Sequence, residues 1–133
     1  MESFSDAALR HMRDAKLLER ENCLENADHH YGLAAECAIK KVLVSLPGSS
    51  AFGELAKSHK AHINELWSKI NHQSLQKSHP ALLAVLKAPN PFSDWDVSQR
   101  YSADGEITKV AIESHQRSAT RLLGAVRLMG RRA

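Results

Sequence analysis

Residues 9–43 read LRHMRDAKLLERENCLENADHHYGLAAECAIKKVL, and the periodicity of this stretch decides the fold. Ala8, Met12, Ala15 and Leu18 recur at helical spacing, with polar Arg10, Arg13, Asp14 and Lys16 on the other side. The pattern predicts a first helix from about Ser5 to Glu19, with Ser5 or Asp6 as N-cap. Arg20 to Glu25 is polar and reads as a short turn. A second helix is expected from about Asn26 to Ser45. Ala27, Tyr31, Ala34, Ala38 and Val42 form one apolar stripe, and Ala35, Ile39, Leu43 and Leu46 form a second beside it. So many alanines let neighbours approach closely, which places this helix at the centre. Glu36 and Lys40 stand four apart in the favourable orientation for an ion pair. Pro47-Gly48-Ser49-Ser50 is expected to end the helix. The short turn between the two helices makes them an antiparallel pair.

Helical periodicity continues outward while strand signals stay weak. A third helix is expected to begin near His59 to His62 and to carry Ile63, Leu66, Trp67 and Ile70. Pro80 can start a short helix with Leu82, Leu83, Val85 and Leu86. After Gly105 a last helix places Ile112, Ala119, Leu122, Val126 and Met129 on one stripe, with Gly130 as its stop. The expected fold is all-α, a four- to five-helix antiparallel bundle in a single domain over residues 1–133. No internal repeat or low-complexity tract interrupts it. The chain has 133 residues, 43% of them hydrophobic and 25% charged, which suits a globular domain with a modest core. No apolar run is long enough to span a bilayer, and the N-terminus lacks the features of a signal peptide. The expected location is the cytoplasm, where Cys23 and Cys37 would remain thiols. Net charge is +3. Arg117, Arg121, Arg127, Arg131 and Arg132 concentrate near the C-terminus, either to meet phosphates or to complement a helix dipole.

One segment breaks the helical pattern: Pro89-Asn90-Pro91-Phe92-Ser93-Asp94-Trp95-Asp96-Val97-Ser98-Gln99-Arg100-Tyr101. It holds three of the chain's seven aromatic residues, and its prolines exclude a regular helix. A loop that mixes aromatics with charge is a place where binding residues gather. Two readings stand. Arg100 and Tyr101 grip a phosphate and a base, with Trp95 or Phe92 as a stacking face. Alternatively Trp95 and Tyr101 cover the end of the bundle, and Arg100 pairs with Asp94, Asp96 or Asp104. Asp94, Asp96, Asp104 and Glu106 read as ordinary loop acids rather than a metal set.

The motifs in residues 9–43 resemble the opening hairpin of HEPN domains, the nucleotide-binding domains of higher eukaryotes and prokaryotes. That hairpin has the form Asp-Ala-x-x-Leu-Leu, a turn, then Ala-x-x-x-Tyr-x-x-Ala-x-Glu and Lys-x-x-Leu. Asp14, Ala15, Leu17, Leu18, Ala27, Tyr31, Ala34, Glu36, Lys40 and Leu43 supply the matches. Lys60-Ala61-His62-Ile63 with Leu66 is similar to the family's third-helix motif, and Arg100-Tyr101 resembles the Arg-Tyr of one branch. The resemblance implies a helical bundle, usually a homodimer, that handles a nucleotide or RNA. It also implies toxin–antitoxin or phage-defence modules, in which a nucleotidyltransferase-type protein is a possible partner.

Many members of that family are metal-independent endoribonucleases with an Arg and a His four to six residues apart. The His moves a proton and the Arg holds the phosphate. Here Gly105, Glu106 and Ile107 fill the window after Arg100, and the next histidine is His115. The leading expectation is therefore a non-catalytic or degenerate binder. Its candidate ligand contacts are Arg100, Tyr101, Trp95, Asp96 and Lys40. The alternatives are a ribonuclease that uses Arg100 with His115 or His62, and a dimerisation scaffold without a ligand. His115 falls on the apolar stripe of the last helix, as a half-buried histidine would. His29 and His30 are adjacent and diverge on a helix, while His59 and His62 lack a further ligand at suitable spacing. Neither a metal nor a cofactor is expected.

Overall fold

A computed structural model describes residues 2–46 and 55–129. Helix α1 spans Phe4–Arg20, and its N-cap is Ser3, not Ser5 or Asp6. The Ser3 hydroxyl accepts from the Asp6 amide at 3.1 Å, satisfying one of the free donors of the first turn. Asn22 closes the helix in the left-handed region (φ 63°), which its short polar side chain tolerates. The Cys23 amide then donates back to the Leu18 carbonyl at 2.8 Å. Helix α2 starts at once, over Leu24–Leu43, two residues earlier than its periodicity suggested. The expected stop at residues 47–50 lies outside the described residues.

Helix α2 is the axis of the molecule. Thirteen of its twenty residues are buried, and it packs against both α1 and α5. The third helix is shorter than expected. Only Ile63–Leu66 forms a helical turn, α3, and a 3-10 turn over Trp67–Lys69 follows before Ile70 becomes extended. Helix α4 covers Pro80–Leu86, with Pro80 at its start as expected. Helix α5 covers Lys109–Ala125, capped by the Thr108 hydroxyl. Arg127, at φ 64°, turns the chain beyond it, and the Leu128 amide donates to the Leu123 carbonyl at 2.8 Å. Gly130, Arg131 and Arg132 lie outside the described residues. The chain is all-α, with no strand among the described residues. None of its described helices is long and apolar enough to cross a membrane.

Polar latches join these helices. Glu36 is buried on α2, where it accepts from the Lys40 ammonium at 2.9 Å, from the Ile63 amide at 3.2 Å, and bonds His62 Nδ1 at 3.0 Å. It therefore fixes the start of α3 against α2. Asn90 donates to the carbonyls of Ile63 and Asn64, and the Trp67 indole donates to the Ala88 carbonyl. Lys41 donates to the Val126 carbonyl at 2.7 Å, satisfying an acceptor at the C-terminal end of α5.

Gly32 interrupts the middle of α2 for a steric reason. The Trp95 indole lies directly over it, and a Cβ there would overlap the ring. On helix propensity alone, Gly32→Ala would stabilise by about 1 kcal/mol. Because Trp95 is buried and held, the clash outweighs that gain, and overpacking costs about 1–3 kcal/mol. Chemical denaturation of Gly32→Ala is therefore expected to show a net loss of stability. A more stable variant would contradict the close approach of Trp95.

Candidate functional site

The aromatic loop is anchored through one buried imidazole. His115 reaches inward from α5, where it is 2% exposed. Its Nδ1 lies 2.6 Å from Asp28 of α2, and its Nε2 lies 2.7 Å from Asp94 of the loop. Both partners accept, so both ring nitrogens must donate, which the imidazolium does and neither neutral tautomer can. Burial by itself opposes protonation of His115, but the two aspartates overcome it, and the pKa is raised above its ordinary 6.5. Phe92 stacks on the ring at 5.1 Å. Asp28 is itself fully buried, and its second oxygen accepts from Gln99 at 2.7 Å. The Trp95 indole donates to the Asp28 backbone carbonyl at 3.0 Å. Asp28 thus holds three chain segments at one point.

These contacts bear on several expectations. Trp95 and Phe92 are 1% and 0% exposed, so neither offers a stacking face to a ligand. Lys40 is buried in its pair with Glu36 and is not free to meet a ligand. Asp96 accepts from the Ser98 amide at 2.8 Å and caps the 3-10 turn Val97–Tyr101, reciprocated by Gln99. That amide, first among the influences on it, holds the Asp96 carboxyl below its ordinary range. His115 and Arg100 do not form a pair, because both His115 nitrogens are committed to aspartates. His62 is held by Glu36 through Nδ1, with its second ring nitrogen outside that bond. Cys37 is buried, and its thiol is pushed up to about 11, chiefly by that burial, so it is a small core residue with no reactive character.

Arg100 and Tyr101 remain on the surface. Tyr101 is 78% exposed, and the Arg100 guanidinium lies 5.0 Å from its ring centroid. No ion pair joins Arg100 to Asp94, Asp96 or Asp104 among the described residues. Beside it opens a cleft of about 630 Å³ lined by Asn22, Glu25, Asn26, Gln99, Arg100 and Asp104, among others. That volume lies in the range of small-ligand sites. Glu25 is committed to the cleft wall, accepting from the Gly105 and Ile107 amides at 2.9 and 3.2 Å.

The residue missed in the sequence is Asp28, and His29 is weighed there only as a metal ligand. Gly32 in mid-helix, one turn after Asp28, was the available signal, since it marks a close approach. His29 stacks flat on Trp95, with ring centroids 5.7 Å apart and an interplanar angle of 8°. Burial holds its pKa below the ordinary value, assisted by the charges of His30 and Arg100. Arg100 therefore has a histidine within electrostatic reach, and it is His29. No protein-family model matches the chain, and neither a curated protein nor a solved structure matches it.

The two sides of the His115 bridge differ in strength. Asp28 is fully buried, whereas the Asp94 side chain is 61% exposed. Breaking a buried pair costs about 3–5 kcal/mol, and an exposed one about 0–1 kcal/mol. Asp28→Asn is therefore expected to destabilise far more than Asp94→Asn in urea titrations. The raised pKa fixes the pH dependence. Stability from His115 is complete below about 6.5 and is lost as pH rises through the higher folded value. The gap between wild type and Asp28→Asn should accordingly narrow as pH rises above about 6.5. A constant gap would contradict the charged bridge.

Proposed function

We propose that this protein is a HEPN-like bundle that binds a nucleotide or single-stranded RNA through Arg100 and Tyr101 without cleaving it. The observation that carries this reading is the exposed Arg100–Tyr101 pair at the rim of a polar cleft, with no ion pair to claim the guanidinium among the described residues. Arg offers two parallel donors to a phosphate, and a tyrosine ring offers a face to a base. An arginine already lying over that ring brings the two functions together. The hairpin and Arg-Tyr resemblance supports the same ligand class. By that resemblance we also place the protein in a toxin–antitoxin or defence module, as a homodimer with a nucleotidyltransferase-type partner.

A ribonuclease that pairs Arg100 with His115 is disfavoured for a chemical reason. A general base needs a free ring nitrogen within reach of the 2′-hydroxyl. His115 has none, whereas His62 is held by Glu36 through Nδ1 alone and keeps its second ring nitrogen.

Anisotropy titration with a labelled single-stranded RNA of about ten nucleotides tests the site, spanning the 4–16 nucleotides of small single-strand sites. Arg100→Ala removes a charged phosphate contact, and Tyr101→Ala removes a stacking face, each contributing about 1–3 kcal/mol. Both variants are expected to bind about tenfold or more weakly while unfolding at the wild-type midpoint. Unchanged affinity in both would sink the assignment.

A further inference from the structure

Two imidazoles, His29 and His62, lie against the buried Trp95, and a further two, His30 and His11, continue from His29. His29 lies flat on the indole, and His30 stands edge-on to His29 at 5.6 Å. His11 of α1 sits 5.0 Å from His30, their Nδ1 atoms 2.9 Å apart, and His62 is 6.3 Å from the indole. Such a group is costly to assemble unless something uses it. The His29 Nδ1 is buried with no hydrogen-bond partner among the described residues. The His11–His30 contact needs one donor and one acceptor, so it survives one proton but not two.

We propose that His11, His29 and His30, which run from α1 to the Trp95 face, together with His62 on the other contact to that indole, form a phosphate site whose occupation brings protons with it. The proposal rests on the reading of Arg100 and Tyr101 as the ligand face and extends that face onto α2. A phosphate oxygen accepts where the imidazoles have donors to spare, and its charge relieves their mutual repulsion. The surroundings favour this. Burial keeps His11, His29 and His30 below their ordinary pKa, and Arg10 and Arg100 add positive charge beside His11 and His29. Asp14 opposes this at His11 and His30, and Glu36 at His11, but burial outweighs both. Glu36 serves Lys40, His62 and the Ile63 amide, Asp14 contacts Arg13 at 3.4 Å, and Asp96 caps its turn. Cation binding is not favoured, because no three His, Cys, Asp or Glu side chains among the described residues gather to hold a metal. A protonated His29 would also rest on the Trp95 face, where a cation is attracted.

The phosphate can come from an RNA backbone or from a free nucleotide or phosphate ion, and the test separates these. The full chain is titrated with a single-stranded RNA oligonucleotide, with a nucleoside monophosphate and with inorganic phosphate, at about pH 6 and about pH 8 and fixed ionic strength. Binding is expected to be about tenfold tighter at the lower pH, with proton uptake measured by calorimetry in two buffers. The double variant His29→Gln with His30→Gln should flatten the pH dependence while keeping Arg100-dependent RNA binding at the higher pH. Should that variant fail to fold, NMR titration of the wild-type imidazoles decides, with phosphate expected to raise the pKa of His29 and His30. Imidazole titrations that phosphate does not move overturn the proposal. So does RNA binding with no pH dependence, which leaves the Arg100 face intact. Phosphate-shifted imidazoles without any RNA binding would sink the RNA reading and keep this one.

Discussion

The bridge from Asp28 through His115 to Asp94 is the constraint on which the rest of the structure depends. It joins the central helix, the last helix and the aromatic loop through a single buried ring. A buried charged pair stabilises only when its remaining hydrogen-bonding capacity is met. Here Gln99 completes Asp28, Phe92 covers the ring, and the Trp95 indole bonds the Asp28 carbonyl. Every member of the network is satisfied, so the loop has one place to sit.

That placement creates the exposed face. Residues 92–99 are pinned inward by Phe92, Trp95 and Gln99, and the chain emerges at Arg100 and Tyr101 with both side chains on the surface. The Asp96 capping box sets the turn that carries them. The plug and the site are therefore parts of one loop. Its first aromatics close the bundle and its last two residues meet the outside. Trp95 adds a second consequence, because His29 of α2 stacks on its indole and His62 lies close to it.

Much of the fold was legible because it follows from local chemistry. Alanine and β-branched stripes gave α1, α2 and α5, Pro80 gave the start of α4, and the spacing of Glu36 and Lys40 gave their ion pair. Terminations were less legible. Asn22 and Arg127 close helices in the left-handed region without glycine, and α3 stops after one turn, where Asn90 takes the Ile63 and Asn64 carbonyls and the Trp67 indole bonds Ala88. The site was half legible. Arg100 and Tyr101 stood out by composition and by resemblance. Asp28 did not, because a polar residue on a helix normally faces water, and only the pairing with His115, 87 residues away, buries it. Trp95 pointed to stacking by its type, yet its packing on Gly32 removes its faces from solvent.

The protonation state of His115 tests this account most directly. Nitrogen-15 NMR of the imidazole at about pH 7.5, where a free histidine is mostly neutral, distinguishes the imidazolium from either neutral tautomer. The account expects both His115 nitrogens to carry protons that exchange slowly with solvent. A neutral His115 with one bare nitrogen would contradict it, since one of the two aspartates would then face no donor.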